Sequence, residues 1–521
     1  MRPRTQARDM VTTTRRSAGV ILAVVCLVDM RVAALGPTHG VVVGDVTHTQ
    51  ATVWSRCDAN STMLVTMYEC DNPVAGEEFT GQVDVDSAND YTGLVDFSGL
   101  TSKTCYVADV TFEDDSSSSS SSTSTETSSA TFYTAPLPEI TRAVRFAWSA
   151  DISGQNVCRD VSEGFPVMDA LNAVEGKDFF MNIGDAIYGD ATCDATGLAG
   201  NNQIPGGFVR AANLRNYWGH WKYNLGDPGY QSLLGSQAFF MTWDDHEVVN
   251  DFGPDYDTRS YLPYTAGVHL MPIGLQAFLN YNPIRATSDP TEALDFYRTI
   301  RWGKSVELFM LDTRQYRSLP TDADTEENPK TMLGATQLAW LKQSLTDTTA
   351  LWKMVVTSVP LSIPTGAGDD ERDGWANNGG TTGYELELAE ILAFMSDSGM
   401  RNIVFITADV HYAQAMRYQP FDSDPDFEFH EIVAGPLNAA LFTAADLDTT
   451  FSPEVLFSYH AEINTLSGQS TYEDTKEYFN FGLADIDLDG NLTFSIINTA
   501  GDVVNTLSLT PSDETPTPAP A

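Results

Sequence analysis

The alternation of apolar and polar positions distinguishes an N-terminal region of short strands. Between residues 40 and 134, six segments alternate in this way and turn residues separate them: GVVVGDVT, QATVWSRC, STMLVTMYEC, YTGLVDFSGL, TCYVADVTFE and ATFYTA. Short alternating segments at such intervals are typical of half-buried strands in a β-sandwich. We therefore expect an immunoglobulin-like β-sandwich over residues 35–135.

Beyond residue 141 the pattern changes to continuous apolar runs separated by helical stretches. The runs VRFAW, FFMNI, AFFMT, VELFML, KMVVTS and NIVFIT predict buried strands, and ATQLAWLKQSL and YELELAEILAFM predict helices. In the first helix, Leu338, Leu341 and Leu345 recur at helical spacing, which indicates core packing. Strands buried on both faces with helices between them predict a layered α/β domain over residues 139–510.

Three segments look different from either region. Residues 1–34 carry several arginines, followed by the apolar run AGVILAVVCLV and the small residues VAA. This order is typical of a secretory signal peptide, and the apolar run is too short to span a membrane. Arg15 and Arg16 are adjacent, so twin-arginine export is one possible route. The serine-rich stretch 116–129 predicts a disordered loop, and residues 511–521 predict a disordered tail. We expect no transmembrane segment in the mature chain.

Charge and cysteine content narrow the class of protein. The chain has 29 Lys and Arg against 71 Asp and Glu, a formal net charge of -42, which argues against a nucleic-acid-binding surface. Such a balance suits a protein that stays soluble in salty water or collects cations. An exported chain keeps disulfides, and Cys158 with Cys193 is a plausible pair. The five cysteines beyond residue 34 leave one thiol unpaired.

Polar clusters follow four of the predicted buried strands. In α/β sheets, ligands bind beyond the carboxyl ends of the strands. The clusters are SADISGQ with Asp151 and Gln155, GDAIYGD with Asp185, Tyr188 and Asp190, TWDDHEVVNDFG with Asp245, His246 and Asn250, and ADVHYA with Asp409 and His411. Each cluster alone is compatible with a turn, a helix cap or packing. Together they bring carboxylates, an amide, a phenol and imidazoles to one rim, which favours a hard or borderline cation such as ferric iron, calcium, manganese or zinc.

These motifs, with IRWG, ELFMLDTRQYRS, LGATQLAWL and HEIVAGPLNA, resemble the PhoD-type alkaline phosphatase/phosphodiesterase family of calcineurin-like metallophosphoesterases. The start HGVVVGDVTHTQATVWSR resembles the N-terminal β-sandwich of that family. The resemblance spans nearly all of the chain after residue 34, in the expected order.

The resemblance implies a ferric iron beside calcium, with Asp185 bridging the two metals. Tyr188, His411 and Asp151 would bind the iron, and Asn250 and Asp409, with Asp245 as a further candidate, would bind calcium. Asp151 stands where many members of the family have a cysteine, so other divalent metals remain open.

The metals imply a reaction and two candidate catalytic residues. Metal ions neutralise phosphate oxygens and activate a water or oxide for attack on phosphorus. His246 and Asp245 are the candidate catalytic residues, because His246 beside the metals could protonate the leaving oxygen or hydrogen-bond the phosphoryl group. Arg314 could bind the substrate phosphate, although Asp312 nearby favours a structural ion pair.

The sequence therefore predicts a secreted, periplasmic or cell-surface alkaline phosphatase/phosphodiesterase that acts on small phosphate esters. One alternative is a phospholipase D-like phosphodiesterase acting on phosphodiesters or phospholipids. An alternative of another class is a calcium-binding surface or adhesion protein whose β-sandwich carries the function.

Overall fold

The computed structural model describes residues 35–71, 78–114, 126–254, 267–285, 296–366, 372–467 and 470–512. The predicted signal peptide, most of the serine-rich loop and the end of the predicted tail lie outside the described residues.

The N-terminal region folds as the alternating pattern predicts. Its strands are β1 (Val41–Gly44), β2 (Gln50–Arg56), β3 (Ser61–Glu69), β4 (Phe79–Val85), β5 (Thr92–Ser98), β6 (Cys105–Glu113) and β7 (Ser128–Tyr133). The order β4-β3-β6-β7 forms one antiparallel sheet. In β3, Met63, Val65 and Met67 are buried while the intervening residues are more exposed, so one face of the sheet packs into the core. Strand β4, with Gly81 and Gln82 at its centre, was not predicted.

Thirteen further strands follow in the described part of the chain. They are β8 (Val144–Ser149), β9 (Phe179–Asn182), β10 (Ala238–Met241), β11 (Arg298–Trp302), β12 (Val306–Met310), β13 (Trp352–Val356), β14 (Ile403–Thr407), β15 (Ala413–Tyr418), β16 (Phe429–Val433), β17 (Pro453–Tyr459), β18 (Asn480–Ile486), β19 (Leu492–Asn498) and β20 (Val503–Leu509). Each of the six predicted runs overlaps one of these strands.

The strands form two large mixed sheets. The first has nine strands in the order β20-β19-β18-β8-β9-β10-β1-β2-β5, and the second has seven in the order β11-β12-β13-β14-β16-β15-β17. Strands β8, β9 and β10 run parallel, as do β12, β13, β14 and β16. One apolar core joins residues of both sheets, including Phe146, Phe179, Trp302 and Val404. The two sheets therefore pack face to face.

Helices cover the outer faces. They are α1 (Val167–Ala173), α2 (Leu214–Leu225), α3 (Pro228–Leu234), α4 (Gly267–Tyr281), α5 (Gly334–Asp347), α6 (Glu385–Asp397) and α7 (Tyr472–Lys476). Residues of α1 to α4 share a core with the first sheet, and residues of α5 and α6 share one with the second. Leu341 and Leu345 lie in that second core, with Leu338 packed against it. The layered α/β prediction is confirmed.

The N-terminal strands continue into the larger sheet. Strand β1 pairs in parallel with β10 and antiparallel with β2, and β2 pairs with β5. From Leu35 onward the chain forms one compact unit. The predicted domain boundary near residue 135 therefore falls within this unit. Alternation along a strand predicts which face of the strand is buried, but it does not predict the partner strand.

Two disulfides cross-link the described chain. The predicted pair Cys158–Cys193 is confirmed, and Cys70 pairs with Cys105. Cys57 is a buried free thiol. Among the described helices, none has the length and apolar composition that crossing a bilayer requires.

Candidate metal centre

Four loops deliver the predicted site residues to one place between the two sheets. The loops follow β8, β9 and β10 of the first sheet and β14 of the second. Asp151, Asp185, Asp409 and His411 adopt positive φ angles of 65°, 50°, 72° and 56°. Such angles are uncommon outside glycine and cluster at functional sites. The backbone is thus turned sharply where β8, β9 and β14 deliver their polar residues.

Tyr188, His411 and Asp151 converge on one side of this site. The Tyr188 Oη lies 2.8 Å from His411 Nε2, and both atoms lie 3.5 Å from Asp151 Oδ1. Asp185 joins Asp151 and His411 in a group whose ligand atoms lie within 4.8 Å of one another. All four side chains are buried. The residues that the resemblance assigned to iron are therefore brought together.

Asp185, Asp245 and Asp409 lie toward the other side. Asp185 groups with Asp245 and His246, and Asp245 groups with Asp244 and Asp409, again with ligand atoms within 4.8 Å. Asn250 lines the same cavity as these carboxylates. Asp185 belongs to a group on each side, which is the position that a bridging ligand needs. The individual ligand roles stay a prediction.

The donor set fits metal cations. Asp151 Oδ2, Asp245 Oδ1 and Asp409 Oδ2 are buried carboxylate oxygens without a hydrogen-bond partner among the described residues. Buried carboxylate oxygens normally have partners, so several in one cluster call for an explanation such as an ion. Burial, followed by the charge of Asp244 or Asp245, raises the pKa of Asp151, Asp185 and Asp409 well above the usual value. Cations at this position would remove the repulsion.

His411 is prepared as a neutral nitrogen ligand. Its Nδ1–H donates to the backbone carbonyl of Ala440, which leaves the Nε2 lone pair facing Tyr188 and Asp151. Burial lowers the pKa of His411 to about 3. This arrangement fixes the tautomer that a metal-binding histidine requires.

His246 is held by Asp190, which the sequence placed in the second polar cluster without assigning it a specific role. Its Nδ1 lies 2.7 Å from Asp190 Oδ1, and its backbone N–H donates to Asp185 Oδ1 at 3.2 Å. Burial alone would lower the pKa of His246, but Asp190 and Asp245 outweigh it and raise that pKa to about 10. His246 is thus an oriented proton donor on the wall of the cavity.

Glu247 ties together two of the loops that carry ligands. Its carboxylate accepts hydrogen bonds from the backbone N–H groups of Asp185, Ala186 and Asp244 at 3.1, 2.6 and 2.8 Å. It is buried, and its role was not predicted, because a glutamate in an acidic stretch gives no sign of its hydrogen-bond partners.

The position of Arg314 differs from its predicted role as a ligand of the substrate phosphate. Its side chain is 0% exposed, and its guanidinium contacts Asp244 at 2.5 Å and both Asp373 oxygens at 2.6 Å. Such burial does not agree with the predicted contact to substrate phosphate. The ion-pair alternative holds, but the partners are Asp244 and Asp373. Asp312 accepts instead from the Trp243 indole and the Arg314 backbone N–H.

Two cavities meet at the candidate centre. The first, of about 340 Å³, is lined by Asp185, Asp245, Asp409 and His411 together with apolar residues. The second, of about 380 Å³, is lined by Tyr188, Asp190 and other polar residues. Gln155, His246 and Asn250 line both. Gln155, which the sequence placed in the first polar cluster, thus lies at the junction of the two cavities, with a positive φ of 52°.

The two sheets pack face to face with helices on their outer sides, and carboxylates and imidazoles cluster at strand ends of both sheets. This combination defines the metallophosphoesterase class. The sequence model of the PhoD-like phosphatase family matches residues 146–492. The chain belongs to this family, and the resemblance seen in its motifs is confirmed.

One curated relative and two solved structures that are similar to this chain are consistent with the family assignment. Alkaline phosphatase D of Bacillus subtilis is 25% identical over 271 residues, which is 50% of this chain and 45% of that protein. The solved structure of PhoD superimposes with a TM-score of 0.68 at 16% identity, covering 91% of this chain and 89% of that one. The purple acid phosphatase PPD1 from yellow lupin (Lupinus luteus) seeds gives a TM-score of 0.56 at 12% identity, covering 91% and 74%. At these identities the two structures support the fold alone.

Proposed function

We propose that this protein is a metal-dependent alkaline phosphatase/phosphodiesterase that hydrolyses small phosphate esters. One observation carries the proposal: buried carboxylates with unpartnered oxygens, a tyrosine and a neutral histidine cluster where four loops meet, beside two adjoining cavities. Membership of the PhoD-like phosphatase family supports the same reaction.

The donor set suits two different metals. Asp151, Tyr188 and His411 would hold ferric iron, Asn250, Asp409 and Asp245 would hold calcium, and Asp185 would serve both. Bound there, the metals would neutralise the phosphoryl oxygens and supply the activated oxygen nucleophile. Carboxylate, phenol and imidazole donors also accept other divalent ions, so metal analysis of the native protein decides between these assignments.

The residues around the cavity have separate tasks. The His246 imidazolium, held by Asp190 at 2.7 Å, can donate a hydrogen bond to a phosphoryl oxygen or a proton to the leaving oxygen. The amide groups of Gln155 and Asn250 lie at the junction of the two cavities, where they can donate to the ester. Glu247 fixes the relative position of the loops and does not line either cavity.

Secretion is part of the proposal. The two disulfides are typical of a protein that matures outside the reducing cytoplasm. The predicted signal peptide at residues 1–34 would direct the export. The proposed location is the periplasm, the cell surface or the medium.

The test measures turnover and metal content together. Metal-loaded protein should hydrolyse 4-nitrophenyl phosphate or its bis ester, exhaustive chelation should abolish the activity, and added metal should restore it. Asp185→Asn should lose activity and retain less metal while unfolding at nearly the wild-type denaturant concentration. Asp178→Asn, a change in a buried carboxylate that pairs with Arg142 away from the cavities, is the matched control and should keep turnover per folded molecule.

The outcomes separate the alternatives. Faster turnover of phosphatidylcholine than of the monoester would favour the alternative of a phospholipase D-like phosphodiesterase. Metal binding without turnover of any ester would favour the calcium-binding surface protein. Full activity in chelated Asp185→Asn protein would contradict the metal-dependent mechanism.

A further inference from the structure

The first cavity has two chemically different walls. One wall carries the carboxylates and imidazoles of the candidate centre. The apolar wall is formed by Ile363, Pro364, Val410, Tyr412, Phe442 and Ala445. Five of the predicted ligands line this cavity, namely Asp185, Asp245, Asn250, Asp409 and His411, whereas only Tyr188 and Asn250 among the predicted ligands line the second cavity. A phosphoryl group at the centre would therefore face the first cavity.

The apolar wall is joined directly to the centre. The Phe442 ring stacks on the His411 ring with centroids 4.5 Å apart and planes 15° from parallel. Phe442 also packs against the core of the second sheet. Tyr412 is buried, and its hydroxyl accepts from the backbone N–H of Ala445 at 3.3 Å. The wall is thus held in place one ring away from a predicted metal ligand.

The carboxylates that line this cavity disfavour an anionic ester group. Asp245, Asp251 and Asp409 line it, and among the described residues no lysine or arginine does. An ester group that carries a further negative charge would be repelled by these carboxylates, while an uncharged apolar group gains by leaving water.

We infer that the wall around Phe442 is a subsite for an apolar ester group, aryl or alkyl, on the substrate phosphate. The inference rests on the proposed function and narrows its substrate class to esters of uncharged apolar alcohols. Phosphate remains at the polar wall, and the ester group lies against Phe442 and Tyr412. Burial of one such group corresponds to about a tenfold gain in affinity.

The test uses two phosphonates that cannot be hydrolysed. Binding of phenylphosphonate and methylphosphonate to the metal-loaded protein is measured by calorimetry, so the readout does not depend on turnover. Wild-type protein should bind phenylphosphonate about tenfold more tightly. Phe442→Asn should bring the ratio of the two dissociation constants close to one, and Phe442→Leu should retain most of the preference. The affinity for methylphosphonate should change little in either variant.

A second variant covers the case in which Phe442→Asn disturbs His411. Ala445→Trp fills the same wall from an exposed position and should weaken phenylphosphonate selectively. Equal affinities for the two phosphonates in wild-type protein, or equal losses for both ligands in Ala445→Trp, would overturn the subsite. A preserved phenyl preference in protein that hydrolyses no ester would overturn the proposed function and leave the subsite standing.

Discussion

At the scale of single residues, the carboxylates of the site depend on two kinds of buried support. Glu247 receives backbone N–H groups from both sides of the site and fixes the loops by hydrogen bonds. Arg314 supplies a positive charge to Asp244 and Asp373, and Arg317 also contacts Asp373 at 2.5 Å. Because these groups are buried, each loses much of its stabilisation if its partner is removed.

Arg314→Met should therefore act on stability. Removing the buried cation leaves Asp244 without its ion-pair partner, and we expect a loss of ~3–5 kcal/mol in the free energy of unfolding. Urea denaturation of the metal-loaded protein measures it. Arg417→Met, which removes partly exposed contacts to Glu428 and Glu454, is the control and should cost less than about 1 kcal/mol. An unchanged unfolding midpoint with a raised KM would restore the substrate role.

Tyr188 gives a test of the metal that does not depend on activity. A phenolate bound to ferric iron transfers charge to the metal under visible light, so the native protein should be coloured, whereas calcium, zinc and magnesium give no such band. Tyr188→Phe should bleach the absorption and weaken iron retention. Tyr412→Phe, next to His411 in sequence, should keep the colour. A colourless, fully active preparation that contains no iron would rule out the ferric assignment while leaving the phosphoesterase proposal intact.

At the scale of elements, the loops after β8 and β9 carry much of the site and are cross-linked outside it. Cys158 follows Gln155 in the first loop, and Cys193 follows Asp190 in the second. The Asn156 side chain adds a hydrogen bond from the Asp194 backbone N–H at 2.8 Å. The disulfide thus restrains the two loops that place Asp151, Tyr188 and Asp190. The other disulfide, Cys70–Cys105, lies in the N-terminal sheet.

The two disulfides form a matched pair for experiment. Each closes a loop with a sequence separation of 35, so each should stabilise the folded chain by roughly 4 kcal/mol through chain entropy. Replacing either pair by serines should lower the melting temperature by similar amounts. Only the change at Cys158 and Cys193 should also lower kcat/KM, by roughly 10- to 100-fold, because misplaced loops disturb the site. Equal activity in both folded variants would show that the disulfide does not position the loops.

At the scale of the whole molecule, one core runs between the two large sheets and on into the N-terminal strands. It includes Val53 and Val95 of the N-terminal strands together with Phe146 and Leu308. Strands β1, β2 and β5 belong to the same sheet as β8, β9 and β10. The N-terminal region therefore forms the edge of the sheet that carries the site, and we expect it to unfold with the rest of the compact unit.

The formal charge of -42 gives a prediction about salt. Like charges at this density repel one another in the folded state, and salt screens them over about 10 Å at 0.1 M. The melting temperature should rise with sodium chloride. The measurement is made at saturating metal, so that ion binding at the site does not contribute. A melting temperature that falls steadily with added salt would contradict this expectation.

The sequence by itself determined the strands that lead into the site and most of the candidate site residues. Apolar runs such as VRFAW and FFMNI form strands that are buried on both faces. The prediction of a strand depends only on the residues of the run and not on which strands pair with it. The polar residues follow each run directly in the sequence, which is why Asp151, Asp185, Asp409 and His411 were identified as a set. The motifs in turn identified the family.

Only the tertiary structure decided which elements meet and which charges pair. It placed β14 in a different sheet from β8, β9 and β10, joined β1 to β10, and gave Arg314 the partners Asp244 and Asp373 instead of its neighbour Asp312. The site therefore lies between two sheets and not along one rim. The physical reason is that burial pattern and charge are properties of positions along the chain, whereas hydrogen-bond partners, ion pairs and cavities arise from contacts between residues far apart in sequence.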